Sequence, residues 1–143
     1  MTNILNTRGT SQSLLTTELN SLANNASAVH ATSVTLTSAG FISGELELVV
    51  EFGTAPTANT GVIVWLLREI DGTNFEDGSA SVTPLRTPDG FFPLRAVTTA
   101  QRIILDILIP PGPIRALVKN DGTGQSFISS ANTLKLRPYT PSI

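Results

Sequence analysis

The stretch Gly44-Glu45-Leu46-Glu47-Leu48-Val49-Val50-Glu51-Phe52 decides the fold class. Side chains of an extended strand point alternately to two faces, so residues two apart share a face. Leu46, Leu48, Val50 and Phe52 therefore lie on one face, and Glu45, Glu47 and Glu51 on the other. That is the pattern of a half-buried strand with one wet face.

Two neighbouring runs are more apolar. Val62-Ile63-Val64-Trp65-Leu66-Leu67 carries apolar residues on both faces, and Ile103-Ile104-Leu105-Asp106-Ile107-Leu108-Ile109 does so with the single exception of Asp106. A helix is the rival reading, but the β-branched content and the flanking turns favour strands. A strand apolar on both faces is either central, or its outer face meets another protein. Around these runs, Val34 and Leu36 alternate with Ser33, Thr35 and Thr37, and Leu134 and Leu136 alternate with Thr133, Lys135 and Arg137. Breakers such as Asp71-Gly72, Asp77-Gly78, Pro88-Asp89-Gly90, Pro110-Pro111-Gly112-Pro113 and Asn120-Asp121-Gly122 separate short segments at fairly even spacing. Together they predict an all-β sandwich or barrel of about eight short antiparallel strands. The expected core is Leu46, Leu48, Val50, Val62, Val64, Leu66, Ile104, Ile107, Ile109, Leu134 and Leu136.

The first segment reads differently. Leu14, Leu15, Leu19 and Leu22 recur at helical spacing, and Ser11 is a candidate cap. Leu14 stands where a capping box wants an acid or amide. The expectation is an N-terminal arm with a short amphipathic helix over residues 1–28, followed by a β-sandwich domain over 29–143.

Composition narrows the function. The chain has 143 residues, 41% of them hydrophobic and only 14% charged. Ordinary soluble domains are nearer one quarter charged, so Ser, Thr, Asn, Gly and Pro must cover much of the surface. Such a surface costs less to desolvate than one of Lys and Glu and suits a chain inside an assembly; an uncharged secreted-type β domain is the blander alternative. A net charge of −2 with no basic run argues against nucleic-acid binding. There is no cysteine, hence no disulfide, thiolate metal site or Cys nucleophile. No signal-peptide core and no run of roughly 20 apolar residues is present, so a soluble chain made in the cytoplasm is expected, with no membrane partner.

Few residues are of a type or spacing that carries chemistry. His30 is the single histidine, with no second His or Cys to complete a site. In Glu69-Ile-Asp-Gly-Thr-Asn-Phe-Glu-Asp77 a calcium loop fails, because Phe75 stands where a ligand belongs and the glycine is misplaced. A surface turn between two strands is the better reading. No phosphate loop, dinucleotide fingerprint or nucleophile elbow occurs. No catalytic residue, cofactor or metal is therefore expected. Trp65 reads first as core and second as a sugar platform or interface anchor. Arg68, Arg86, Arg95, Arg102, Arg115 and Arg137 outnumber Lys119 and Lys135, a bias that suits protein interfaces and that lineage alone can also produce.

Four segments together carry a resemblance: Val64–Gly78, Phe92-Pro93-Leu94-Arg95, Ile109–Pro113 and Asn132–Tyr139. They resemble small virion structural proteins of tailed bacteriophages, of the capsid decoration (cement) type. The likeness runs from about Thr60 to the C-terminus. It implies a homotrimeric jelly roll on the outer capsid surface, synthesised in the host cytoplasm, that clamps major capsid protein subunits without catalysis. No family binding residue carries over. From the residues themselves, the candidate interface comprises Ile4, Leu5, Arg8, Leu14, Leu15, Trp65, Leu67, Arg95, Arg137 and Tyr139. The alternatives are a tail, baseplate or fibre-adaptor protein, and a carbohydrate-binding jelly-roll module; an enzyme is more distant.

Overall fold

A computed structural model describes residues 5–36 and 41–142. The strands are β1 (Leu5–Arg8), β2 (Gln12–Leu15), β3 (Ser27–Val29), β4 (Val34–Thr35), β5 (Ser43–Val50), β6 (Gly61–Arg68), β7 (Gly90–Pro93), β8 (Gln101–Leu108), β9 (Pro113–Asp121) and β10 (Thr133–Ser142). They form two antiparallel sheets. In the first the order is β1-β10-β5-β8, with β2 also on β10; in the second it is β3-β9-β6-β7, with β4 also on β9. β1 and β2 pair with successive parts of β10, and β3 and β4 with successive parts of β9. Each couple acts as one interrupted edge strand. Counted so, two four-stranded sheets face each other in jelly-roll order; of the sandwich and barrel that the turn spacing allows, the chain forms the sandwich. The Pro110-Pro111-Gly112 breaker sets the tight passage from β8 to β9, where Gly112 takes φ +82°, a value only glycine adopts without strain.

The core lies between the sheets. The decisive strand behaves as its period demands: Leu46, Leu48, Val50 and Phe52 are buried and the glutamates face outward. Val62, Val64, Leu66, Ile107, Ile109, Leu134 and Leu136 join them, with Ile114, Ala116 and Val118 of β9. Phe52 and Phe127 close one end edge to face, with ring centroids 5.3 Å apart.

Ile104 corrects the expected core, being 55% exposed. It cannot share a face with Ile107 and Ile109 in a period-two strand. Its cross-strand partner is Glu47, on the wet face of β5.

The N-terminal helix is a second correction. The segment forms β1 and β2, and only Thr17–Leu19 makes a 3-10 turn. Consecutive Thr16 and Thr17 are poor helix formers, and Thr16 makes no side-chain cap. The free edge of β10 offers this segment a ladder, and Leu14, Leu15, Leu19 and Leu22 all bury into the core.

Candidate docking surface

The double-faced β6 receives its second cover from within the chain. Trp65, Leu67 and Leu117 form a separate buried cluster on the outer side of the second sheet, with Val29, Ile63 and Phe75 packed against it. The lid is the connection from β6 to β7, residues 69–89. It passes so close that a Cβ on Gly78 would sit 2.8 Å from a Leu67 methyl and 3.2 Å from one of Leu117. Ordered loops beyond roughly 12–15 residues are uncommon and are usually functional.

Why this loop holds one position follows from hydrogen-bond satisfaction. β7 pairs with β6 only from Gly61 to Val64. Beyond it the β6 edge carries peptide groups that need partners. The loop supplies them. The Leu66 N–H donates to the Asp89 carboxylate at 2.6 Å, and the Arg86 guanidinium donates to the Leu66 carbonyl at 2.8 Å. The Glu76 N–H donates to the Arg68 carbonyl at 2.8 Å, and the Arg68 N–H donates to the Glu76 carboxylate at 3.2 Å. Arg86 also bridges Glu76 at 2.8 Å and Asp89 at 2.9 Å. Its hydrogen bonds hold the Glu76 carboxyl below its ordinary range, against burial that pushes the other way. At the loop's first turn the Asp71 carboxylate accepts from the Asn74 and Thr73 N–H groups and from the Asn74 amide, which holds it down to about 2. Arg115 stacks 5.5 Å from the Phe75 ring at the border.

On this braced loop two large apolar side chains stand wholly exposed, Ile70 and Leu85, with Val82 half exposed. Two shallow hollows share Glu76 and Arg86. One is lined also by Arg68, Glu69, Ile70 and Pro111, the other by Val82, Pro84 and Leu85. The two apolar side chains thus flank one buttressed ion pair. Their surroundings are preorganised, which lowers the ordering cost of docking.

The residues predicted as interface fall into separate places. Trp65 and Leu67 are buried beneath the lid, and Leu14 and Leu15 lie in the main core, so none of these four is available to a partner. The reason is that burial, not exposure, produced their apolar patterns. Arg8, Arg137 and Tyr139 come together on the outer face of the first sheet, where Arg8 pairs with Glu45 at 3.1 Å and lies opposite Tyr139. The Arg137 Nε donates to the Gly9 carbonyl. Arg95 is exposed in the connection from β7 to β8, its backbone held by Gln101. Ile4 lies outside the described residues, and the Leu5 backbone pairs with Ser142. Sequence reading missed Ile70 and Leu85, since a lone apolar residue in a turn segment carries no periodic signal.

His30 follows β3 at a sheet edge. Its backbone N–H donates to the Ala116 carbonyl and its carbonyl accepts from Arg115, while Nδ1 is buried without a hydrogen-bond partner among the described residues. Among the described residues no group of three or more His, Cys, Asp or Glu is placed to hold a metal ion, and no helix is long and apolar enough to cross a membrane. No family model, no curated protein and no solved structure matches the chain.

Proposed function

We propose that this chain is a non-enzymatic virion structural protein of the tailed-phage kind, and that it decorates and stabilises a capsid by binding coat subunits. The observation that supports the reading most is the pair Ile70 and Leu85, wholly exposed on a loop that the fold takes pains to fix. Exposed apolar anchors on a rigid base are what a protein interface uses. The low charge of the surface lowers the cost of desolvating the rest. Jelly rolls serve in viral shells and also in lectins, so the fold alone does not choose.

The mechanism is adhesive. Ile70 and Leu85 enter recesses on the coat lattice, and many copies repeat one modest contact. The experiment is co-sedimentation of the purified chain with empty capsids stripped of it, together with protein stoichiometry in intact virions. Wild-type chain sediments with the shells and is present in hundreds of copies. Ile70→Asp with Leu85→Asp stays folded and remains in the supernatant. A handful of copies per particle would transfer the reading to a tail or baseplate role. Retention of the double variant on the shells would remove the loop from the contact. A glycan-array signal with no capsid binding would replace the reading with a carbohydrate-binding one.

A further inference from the structure

The first sheet ends on a long open edge. β8 pairs with β5 without interruption, Ser43 opposite Leu108 through Val50 opposite Gln101, and among the described residues no strand lies on its other side. Natural edge strands are usually blunted by proline, bulges or charged side chains, lysine above all. β8 contains no proline, bulge or lysine, and its two charges are the opposite pair Arg102 and Asp106.

The direction of its free peptide groups can be fixed. The Ile109 N–H donates to the Ile42 carbonyl at 3.0 Å, and these two residues continue the β5–β8 register. Bonded and non-bonded pairs alternate along an antiparallel ladder. Ile107, Leu105 and Ile103 therefore bond to β5, and the peptide groups of Arg102, Ile104, Asp106 and Leu108 point to the open edge.

The same four side chains stand on the outer face. Arg102 is 66% exposed even while its guanidinium reaches Glu47 at 2.9 Å. Ile104 is 55% and Leu108 79% exposed. Asp106 lies directly opposite Glu45, a like charge, and makes no ion pair among the described residues. Like charges opposed across a ladder are unfavourable. Glu45 is compensated by Arg8, whereas no cation among the described residues pairs with Asp106.

We propose that β8 pairs antiparallel with β8 of a second copy, about a two-fold axis at Ile104. In that register Ile104 meets its own counterpart, and Arg102 of each copy faces Asp106 of the other. The two missing cations are supplied at once. Edge-facing groups meet edge-facing groups, which makes about six backbone hydrogen bonds between residues 102 and 106. Shifting the axis to residue 105 would instead set Asp106 against Ile104, so charge selects the register. The contact is isologous. It uses a different surface from the lid of residues 69–89 and does not depend on what that lid binds. It also differs from the three-fold association that the phage resemblance implies. One strand per chain buries less than the roughly 1,200 Å² of a standard interface, so a dissociation constant on the order of 0.1 mM is expected.

Sedimentation equilibrium of the full chain over rising concentration, up to about 1 mM, tests this. The wild type shifts from monomer to dimer. Arg102→Asp alone and Asp106→Arg alone each weaken dimerisation by about ten-fold or more. Mixing the two single variants restores a dimer, because each copy then meets the opposite charge at both positions. The doubly swapped chain also dimerises on its own. Ile104→Pro, which removes an N–H that β5 does not use, gives a folded monomer by circular dichroism. A wild type that stays monomeric throughout overturns the proposal. So does an oligomer indifferent to both single reversals, or a mixture of single variants that remains monomeric.

Discussion

The indole N–H of Trp65 donates to the backbone carbonyl of Arg86 at 3.2 Å. This bond ties the outer face of β6 to the loop that covers it, and it comes from the same residue whose guanidinium completes the β6 edge at Leu66. Arg86→Ala leaves the Leu66 carbonyl without its partner, and leaves Glu76 and Asp89 with Arg68 alone, 3.3 Å from Asp89, as their cation. The ion pairs are partly buried, their side chains 17% to 29% exposed, and solvent still screens them in part. The lost peptide partner is the larger effect, and the variant is expected to lose about 2 kcal/mol. Urea titration measures that loss. Red-shifted emission from Trp65, the only tryptophan, locates it at the lid.

Acid should open the lid before it unfolds the sandwich. The Asp71 and Glu76 carboxyls both lie below their ordinary values of 3.8 and 4.5, Asp71 at about 2. A carboxyl depressed in the folded state contributes stability above its unfolded pKa and loses it as pH falls through the folded one. The window is therefore from about pH 4 down to about pH 2. Trp65 emission should shift to the red across that window while the far-ultraviolet β signal persists. Simultaneous loss of both signals would mean that the lid and the sandwich are one cooperative unit.

Leu15→Ala distinguishes a structural segment from a docking arm. Leu15 is 1% exposed and lies opposite Leu134. Truncation of a buried leucine costs about 2–5 kcal/mol. The isolated chain should lose that much by denaturant titration. An unchanged midpoint would return the segment to the role of a free arm.

Asn120 holds the other end of the molecule. It is fully buried; its amide donates to the Leu22 and Gln125 carbonyls, and its oxygen accepts from the Thr123 hydroxyl. Asn120→Ala removes three buried hydrogen bonds, while the Leu22 carbonyl keeps the Phe127 N–H and the Gln125 carbonyl keeps the Thr123 hydroxyl, and should cost about 1–3 kcal/mol. Hydrogen exchange at residues 22–26 and 120–125 should rise more than at β5.

Alternation fixed each buried strand face correctly at β5, β6 and β10, because the two-residue period is a local property of extended backbone. It failed at Ile104, where an apolar residue on both faces of β8 left the inward parity open. Helical spacing misled at Leu14 to Leu22, since four leucines suit either a helix or a strand followed by a turn. The lid was half legible: the acidic turn was visible at Glu69 to Asp77, but not its extension to Asp89 or its place over Trp65.

By itself, then, the sequence determined the class of fold, the turns, the inward faces of β5, β6 and β10 and a surface poor in charge. All of these depend on neighbours a few residues away. Only the tertiary structure decided that β8 is an edge, that residues 5–15 pair with β10, and that the second face of β6 is covered by its own chain. Those outcomes depend on which distant strands offer unfilled hydrogen bonds, and a local pattern of apolar residues carries no record of that.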